Sequence, residues 1–157
     1  TVNSGWTKGN KREEIFLRIV MSRNRLKIFD YRDKSFVIVG GPDLKLPQFE
    51  LINTGETVYL NVDHENPYRY RDAFVTKEFI YALNWGVSQS EFNKTGIMAE
   101  QIWVFDHKSK LLWNLTLDRS IINFVINEST NKIYGITTDE EPGIAVLDIP
   151  KELLKNE

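Results

Sequence analysis

The sequence predicts an all-β chain built from a repeated unit of four short antiparallel strands. Three observations carry this. A strand pattern ending in aspartate occurs three times, as Leu26-Lys27-Ile28-Phe29-Asp30, Gln101-Ile102-Trp103-Val104-Phe105-Asp106 and Ile144-Ala145-Val146-Leu147-Asp148. A second pattern, an aliphatic before an aromatic, precedes each: Ile15-Phe16-Leu17, Ile80-Tyr81-Ala82-Leu83 and Ile133-Tyr134-Gly135-Ile136. The interval from Phe16 to Phe29 is 13 residues, as it is from Tyr134 to Leu147, whereas Tyr81 to Phe105 is 24, an insertion of 11. Helical periodicity, finally, is nowhere sustained, and only the last few residues offer a short helix. Four-stranded antiparallel units in tandem are the signature of β-propeller blades. An ordinary β-sandwich with strands that resemble one another is the competing reading.

With the four strands of a unit labelled a to d, the chain divides into three blades, residues 1–40, 69–117 and 119–157, with a long loop at 41–68. Strands are expected at 5–8, 14–21, 25–31 and 35–40, then at 71–76, 79–85, 101–106 and 110–116. The third set is 121–127, 131–138, 143–149 and 152–155. Alternating and β-branched residues supply them. The aspartate closing each strand c can bond backbone amides in the turn that follows. Upstream, Phe74-Val75 is matched with Phe124-Val125, and Trp6 stands as a worn first copy. The segment 56–62 also looks extended but fits no repeat position.

The chain has 157 residues, 41% apolar and 12% aromatic, enough for one domain with a core. Twenty lysines and arginines face 22 acidic residues, for a net charge of -2. That balance gives no footprint for nucleic acid or an anionic membrane surface. Cysteine is absent, which excludes disulfides, thiolate nucleophiles and cysteine-bound metals. The chain opens on Thr1 with neither methionine nor signal peptide, as a processed or trimmed product would.

Loop lengths locate the candidate site. The a–b and c–d turns are short, whereas the long segments 41–70 and 86–100 belong to the d–a and b–c connections, on one face of the propeller. Long loops on a rigid scaffold are where binding residues gather. Residues 63–72 read Asp-His-Glu-Asn-Pro-Tyr-Arg-Tyr-Arg-Asp. Tyrosine and arginine are the types enriched in binding hot spots. The candidate contacts are His64, Tyr68, Arg69, Tyr70, Arg71 and Asp72, with Trp85 at the root of the second long loop. The alternative is that the arginines pair with Asp63, Glu65 or Asp72 while the tyrosines pack beneath the loop.

No catalytic constellation emerges. His64 and His107 lie in different repeats, without a nucleophile at a recognisable spacing. Two isolated histidines do not make a metal centre, and no metal-binding or catalytic residue is nominated. No cofactor is expected. Calcium, bound by loop oxygens, is the one ion left open. Asp72 in the second blade and Asn123 in the third are available for it near the axis, with nothing comparable in the first. Asp139-Glu140-Glu141 reads as a solvated turn, and Gly40-Gly41 before Pro42 as a strand terminator.

The run from Arg71 through Phe74-Val75-Thr76-Lys77-Glu78-Phe79-Ile80-Tyr81-Ala82-Leu83, with Gly86 beyond it, resembles a segment of the TolB-like six-bladed propeller lipoproteins of Bacteroides-type bacteria. Ile102 to Asp106, Leu115-Thr116-Leu117-Asp118-Arg119 and Ile133-Tyr134-Gly135-Ile136-Thr137-Thr138-Asp139-Glu140-Glu141-Pro142 are similar to further segments of that family. The resemblance runs over 26–149 and preserves the order of the motifs. It implies a partial six-bladed propeller, a C-terminal piece of a longer lipoprotein at the periplasmic or outer-membrane surface. Any membrane link would then be a lipid anchor that this cysteine-free chain does not carry. The expected function is non-catalytic binding of a protein or glycan through the long-loop face. The alternative is a calcium-dependent hydrolase or lyase with its metal in the central channel. Three blades leave an apolar flank at each end, so a homodimer through exposed blade edges is a further expectation.

Overall fold

A computed structural model describes residues 4–41 and 46–154. Pro42 and the last residue of the expected strand 152–155 lie outside the described residues. Within them, 13 strands form four antiparallel sheets. The first blade is β1 (Thr7–Asn10), β2 (Ile15–Val20), β3 (Arg25–Asp30) and β4 (Ser35–Gly40), paired in that order. The expected first strand, 5–8, thus starts two residues later and leaves Trp6 just ahead of it. The hairpin arm comes next, β5 (Phe49–Asn53) with β6 (Val58–Val62). The second blade is β7 (Tyr70–Val75), β8 (Phe79–Asn84), β9 (Gln101–Asp106) and β10 (Leu111–Thr116). The third is β11 (Ile121–Asn127), β12 (Lys132–Thr137) and β13 (Ile144–Asp148).

Short polar turns set the register. Asp30 Oδ1 accepts the Arg32 amide at 3.0 Å, and Asp106 Oδ1 that of Lys110 at 2.8 Å. Glu14, Lys34, Ser109 and Asn131 take a left-handed backbone, with φ of 54°, 59°, 75° and 53°, as four tight a–b and c–d turns close. That conformation is typical of compact hairpin loops. Asp148 has no such turn to close and instead meets Lys132 across the sheet at 2.6 Å.

Three expectations are corrected. The fourth strand of the third blade does not form. Residues Lys151–Leu154 make a 3₁₀ turn that buries Leu153 in the seam with the second blade. Pro150, which has no N–H for a ladder, precedes it and accepts the Leu153 amide at 2.9 Å. The extended segment 56–62 is half of a hairpin whose partner, Phe49–Asn53, was not anticipated. Finally, the second long loop holds helix α1 (Gln89–Thr95). Ser88 Oγ accepts the Glu91 amide at 3.1 Å, and Gly96 ends the helix at φ 71°. Seven residues are too few to show a period, but the Ser-x-x-Glu cap and terminal glycine were there to be read.

Two apolar seams hold the blades together. Ile15, Leu17, Ile19, Leu26 and Ile28 of the first blade face Ala73, Val75, Ile80, Ala82 and Phe105 of the second. Phe79, Tyr81, Leu83, Ile102 and Val104 of the second face Ile121, Phe124, Ile126, Ile133 and Ala145 of the third. Strand β8 is therefore buried on both sides and reads as a continuous apolar run, its alternate residues serving different seams. In the second seam Gly135 is demanded by packing, since a Cβ there would come within 2.9 Å of the Ile121 side chain.

The inner strands β1, β7 and β11 lie side by side. Asn10 Nδ2 donates to the Val75 carbonyl at 2.8 Å, and the Phe124 amide donates to Asp72 Oδ2 at 3.1 Å. Register also revises two matches. Counted from the aspartates that close β3, β9 and β13, Phe16 stands with Ile80 and Ile133. Leu17, not Phe16, stands with Tyr81 and Tyr134. Asp72 opposes Leu83 as Asn123 opposes Ile136, so Phe74 corresponds to Val125, not to Phe124. A one-residue shift moves a side chain to the other face. In the first blade Trp6, whose carbonyl accepts the Ile19 amide at 2.8 Å, takes the place of Asp72 and Asn123, so Lys8 and not Trp6 is the counterpart of Phe74.

Candidate binding site at the inner-strand mouth

Both β7 and β11 carry a bulge in the same place. Tyr70 pairs with Asn84 and Asp72 with Leu83, which leaves Arg71 as an extra residue. Ile121 pairs with Thr137 and Asn123 with Ile136, which leaves Ile122. A bulge bends the strand and re-aims its extra side chain. The result is a depression of about 110 Å³ where the three inner strands begin, lined by Trp6, Lys8, Arg71, Asp72, Ile122 and Asn123.

Asp72 is the hub of this mouth. It is 3% exposed, and its Oδ1 accepts the Ala73 amide at 2.8 Å and Lys8 Nζ at 2.9 Å. With Oδ2 taken by the Phe124 amide, the carboxylate ties β1, β7 and β11 together. It neutralises Lys8 and has N–H donors on both oxygens. Buried carboxylates persist when satisfied in this way.

Arg71 is held by rings. Its guanidinium carbon lies 5.1 Å from the Trp6 ring centre and 5.6 Å from that of Trp85. Cation–ring attraction of this kind contributes about 0.5–1 kcal/mol at exposed sites. Trp85 in turn stacks on Tyr68, with centroids 4.2 Å apart and planes 18° from parallel, and meets Phe92 edge-on at 6.2 Å. The loop–loop hydrogen bonds that fix this stack run through the backbone. The Tyr68 amide donates to Val87 at 2.9 Å, the Trp85 amide to Arg69 at 2.6 Å and the Arg69 amide to Met21 at 2.6 Å.

The seven candidate residues thus divide. Tyr68, Arg71, Asp72 and Trp85 meet at or beside the mouth. Arg69 joins the two long loops through its backbone. Tyr70 is fully buried in the first seam, edge-on to Trp103 at 5.8 Å, and burial pushes its hydroxyl far above the usual tyrosine range. It is a core residue. His64 is exposed at the foot of the hairpin arm, away from the depression, in a groove with Phe49 and Val62. His107 sits at the opposite end, with Nε2 3.2 Å from the Thr76 carbonyl.

Trp6, Lys8 and Ile122 were not singled out as contacts. The signal that could have found them was positional, since each stands at the start of a strand a. No group of three or more histidine, cysteine or acidic side chains suited to a metal occurs among the described residues.

Three stacked antiparallel blades about adjoining inner strands are the architecture of a propeller segment. A family model described as TolB-like 6-blade propeller-like matches residues 6–129. The chain belongs to this TolB-like family. No curated protein matches it. The family match takes in Trp6 and the whole first blade, upstream of where the resemblance at 26–149 begins, and the bulged starts of both β7 and β11.

Proposed function

We propose that this TolB-like chain is a non-catalytic binding segment of a bacterial envelope propeller, which recognises a partner protein at the inner-strand mouth. The observation that carries the reading is Arg71. It is an arginine fixed by two indoles at a bulge, and no carboxylate among the described residues pairs with it. Arginine and tryptophan are enriched among the residues that carry most of the energy of interfaces. Family membership supports a propeller that binds protein in the cell envelope. Attachment as a lipoprotein of a Bacteroides-type bacterium rests on the motif resemblance, with the anchor supplied outside this cysteine-free sequence.

The calcium-dependent hydrolase or lyase has less to stand on. Asp72, the acidic group at the mouth, has both oxygens engaged by N–H donors. Photocrosslinking in cells tests the binding reading. Ile122→p-benzoylphenylalanine at the mouth is expected to give a discrete protein adduct, and the same replacement at Val37, on the outer strand of the first blade, none. Adducts absent from the mouth, or equal at both positions, overturn it.

A further inference from the structure

The depression at the mouth has a chemistry narrower than protein binding. We infer that it is a carboxylate-recognition site for an acidic side chain of the partner protein. This rests on the binding reading above and goes one step further.

The electrostatics select an anion. Lys8 and Asp72 cancel, Arg71 adds a positive charge, and the exposed Asn123 adds an amide. Asp72 is the one acidic side chain lining the depression, and its oxygens already accept three N–H donors. An approaching cation would meet Arg71 with no free carboxylate in return.

Geometry narrows the anion further. A guanidinium held over ring faces keeps its in-plane N–H groups available, the fork that matches a carboxylate in bidentate fashion. Its backbone is pinned on both sides, by buried Tyr70 and by the triply bonded Asp72. Little freedom remains to lose on binding, the condition for affinity from a small contact. About 110 Å³ holds a carboxyl group and its methylenes, with Ile122 as an apolar wall. A sugar acid needs an open ring for its C–H face, and of the two indoles here Trp6 is 40% exposed but already faces the Arg71 guanidinium. Trp85 is 8% exposed and already bears Tyr68 and Phe92.

Indole N–H resonances of the full chain in ¹H–¹⁵N correlation spectra test this directly, since its four tryptophans are assignable one by one. The probes are Ac-Ala-Glu-Ala-NH₂, the matching glutaminyl peptide and glucuronate. The glutamyl peptide is expected to move Trp6 and Trp85 saturably and to leave Trp103 and Trp113 in place. The glutaminyl peptide should move neither pair. Arg71→Gln is expected to weaken glutamyl binding about tenfold or more, the loss of a charge-assisted pair. Asn123→Asp, an exposed change that places a second carboxylate in the depression, should weaken it too and guards against a misfolded Arg71 variant. Equal responses to both peptides, or binding that survives both variants, overturn the carboxylate assignment. Glucuronate moving these indoles while the glutamyl peptide does not overturns the peptide in favour of a glycan. A silent titration beside a mouth-specific crosslink sinks this inference alone, whereas loss of the crosslink sinks the binding reading itself.

Discussion

The outward faces of the first and third blades are unequal. On the third blade, Tyr134, Ile136, Ile144 and Val146 occupy the register positions that Tyr81, Leu83, Ile102 and Val104 hold on the second. In the second blade those residues are sealed in a seam. In the third, Ile144 is 71% and Val146 53% exposed. The open face of the third blade therefore repeats the chemistry of a closed one. The open face of the first does not. Where the second and third blades place Ala82 and Gly135, the first has Arg18, and where they place Val75 and Ile126 it has Gly9. Lys27 stands in the row of Trp103 and Ala145, and the Phe16 ring folds down over Gly9. One end is shaped to receive a blade, and the other carries charge and covers itself. A twofold ring of two copies, expected from the blade count alone, would press Arg18 and Lys27 against Ile136 and Ile144. Desolvating each cation costs several kcal/mol.

The sharpest way to break the comparison is to move the charge. Ala82→Arg would put in the first seam the residue that the open face carries as Arg18. Ala82 is fully buried in the first seam, among the side chains of Ile15, Leu17 and Ile80. The expected cost exceeds about 4 kcal/mol, enough to unfold the chain, because an unpaired charge and an overpacked core combine. The reciprocal change, Arg18→Ala, should cost no more than about 1 kcal/mol. Urea titrations followed by tryptophan fluorescence check both. Comparable losses would mean that the first blade's open face is as closely packed as a seam.

A smaller effect belongs to the seam tyrosine Tyr81. Burial between the second and third blades raises the Tyr81 hydroxyl from 10.0 to about 12, with nearby Glu128 and Glu78 adding to the shift. The folded state thus holds its proton more tightly than the unfolded chain. The stability this contributes is complete below pH 10 and is lost as pH rises through 10 to about 12. By linkage the loss is about 2 kcal/mol at the upper end. Tyr81→Phe should flatten that part of the alkaline limb in denaturation curves taken between pH 9 and pH 12. An unchanged limb would assign the sensitivity to fully buried Tyr70 instead.

How far the sequence could be read follows from the same geometry. The c strands were legible because each carries an alternating apolar row ending at a fixed aspartate. The b strands were legible because an aliphatic–aromatic pair opens a similar row, and those rows face the seams. The inner strands were legible only in part. Phe74-Val75 matches Phe124-Val125 by residue type, but pairing sets Phe74 against Tyr81 and Val125 against Tyr134, because the a–b connection of the third blade is two residues longer. Tyr70 was misplaced for a related reason. Within Tyr68-Arg69-Tyr70-Arg71, alternation does not reveal which tyrosine enters a core, and the fully buried one is the second. Helix α1 and the segment after Pro150 were missed because each is too short for a period and is set by a cap or a proline. Arg71 was found from residue type alone. Trp6 and Lys8, its neighbours in space, lie more than 60 residues away in sequence, and only the packing of β1 beside β7 brings them together.

The smallest expected effect on stability has the largest consequence for assembly. Ile144→Lys replaces the most exposed apolar side chain of the third blade's open face. No seam is disturbed, so the denaturation midpoint should move by no more than about 0.5 kcal/mol. An apolar sheet face left open drives association, and a lysine at its centre opposes that. The variant should therefore run at a lower mass than the parent in sedimentation velocity at matched concentration. The same charge at Phe36, on the first blade's open face, should change the mass less, because Lys27 and Arg18 already interrupt that surface. If Phe36→Lys has the greater effect, the first blade is the sticky end and the inequality of the two faces is reversed.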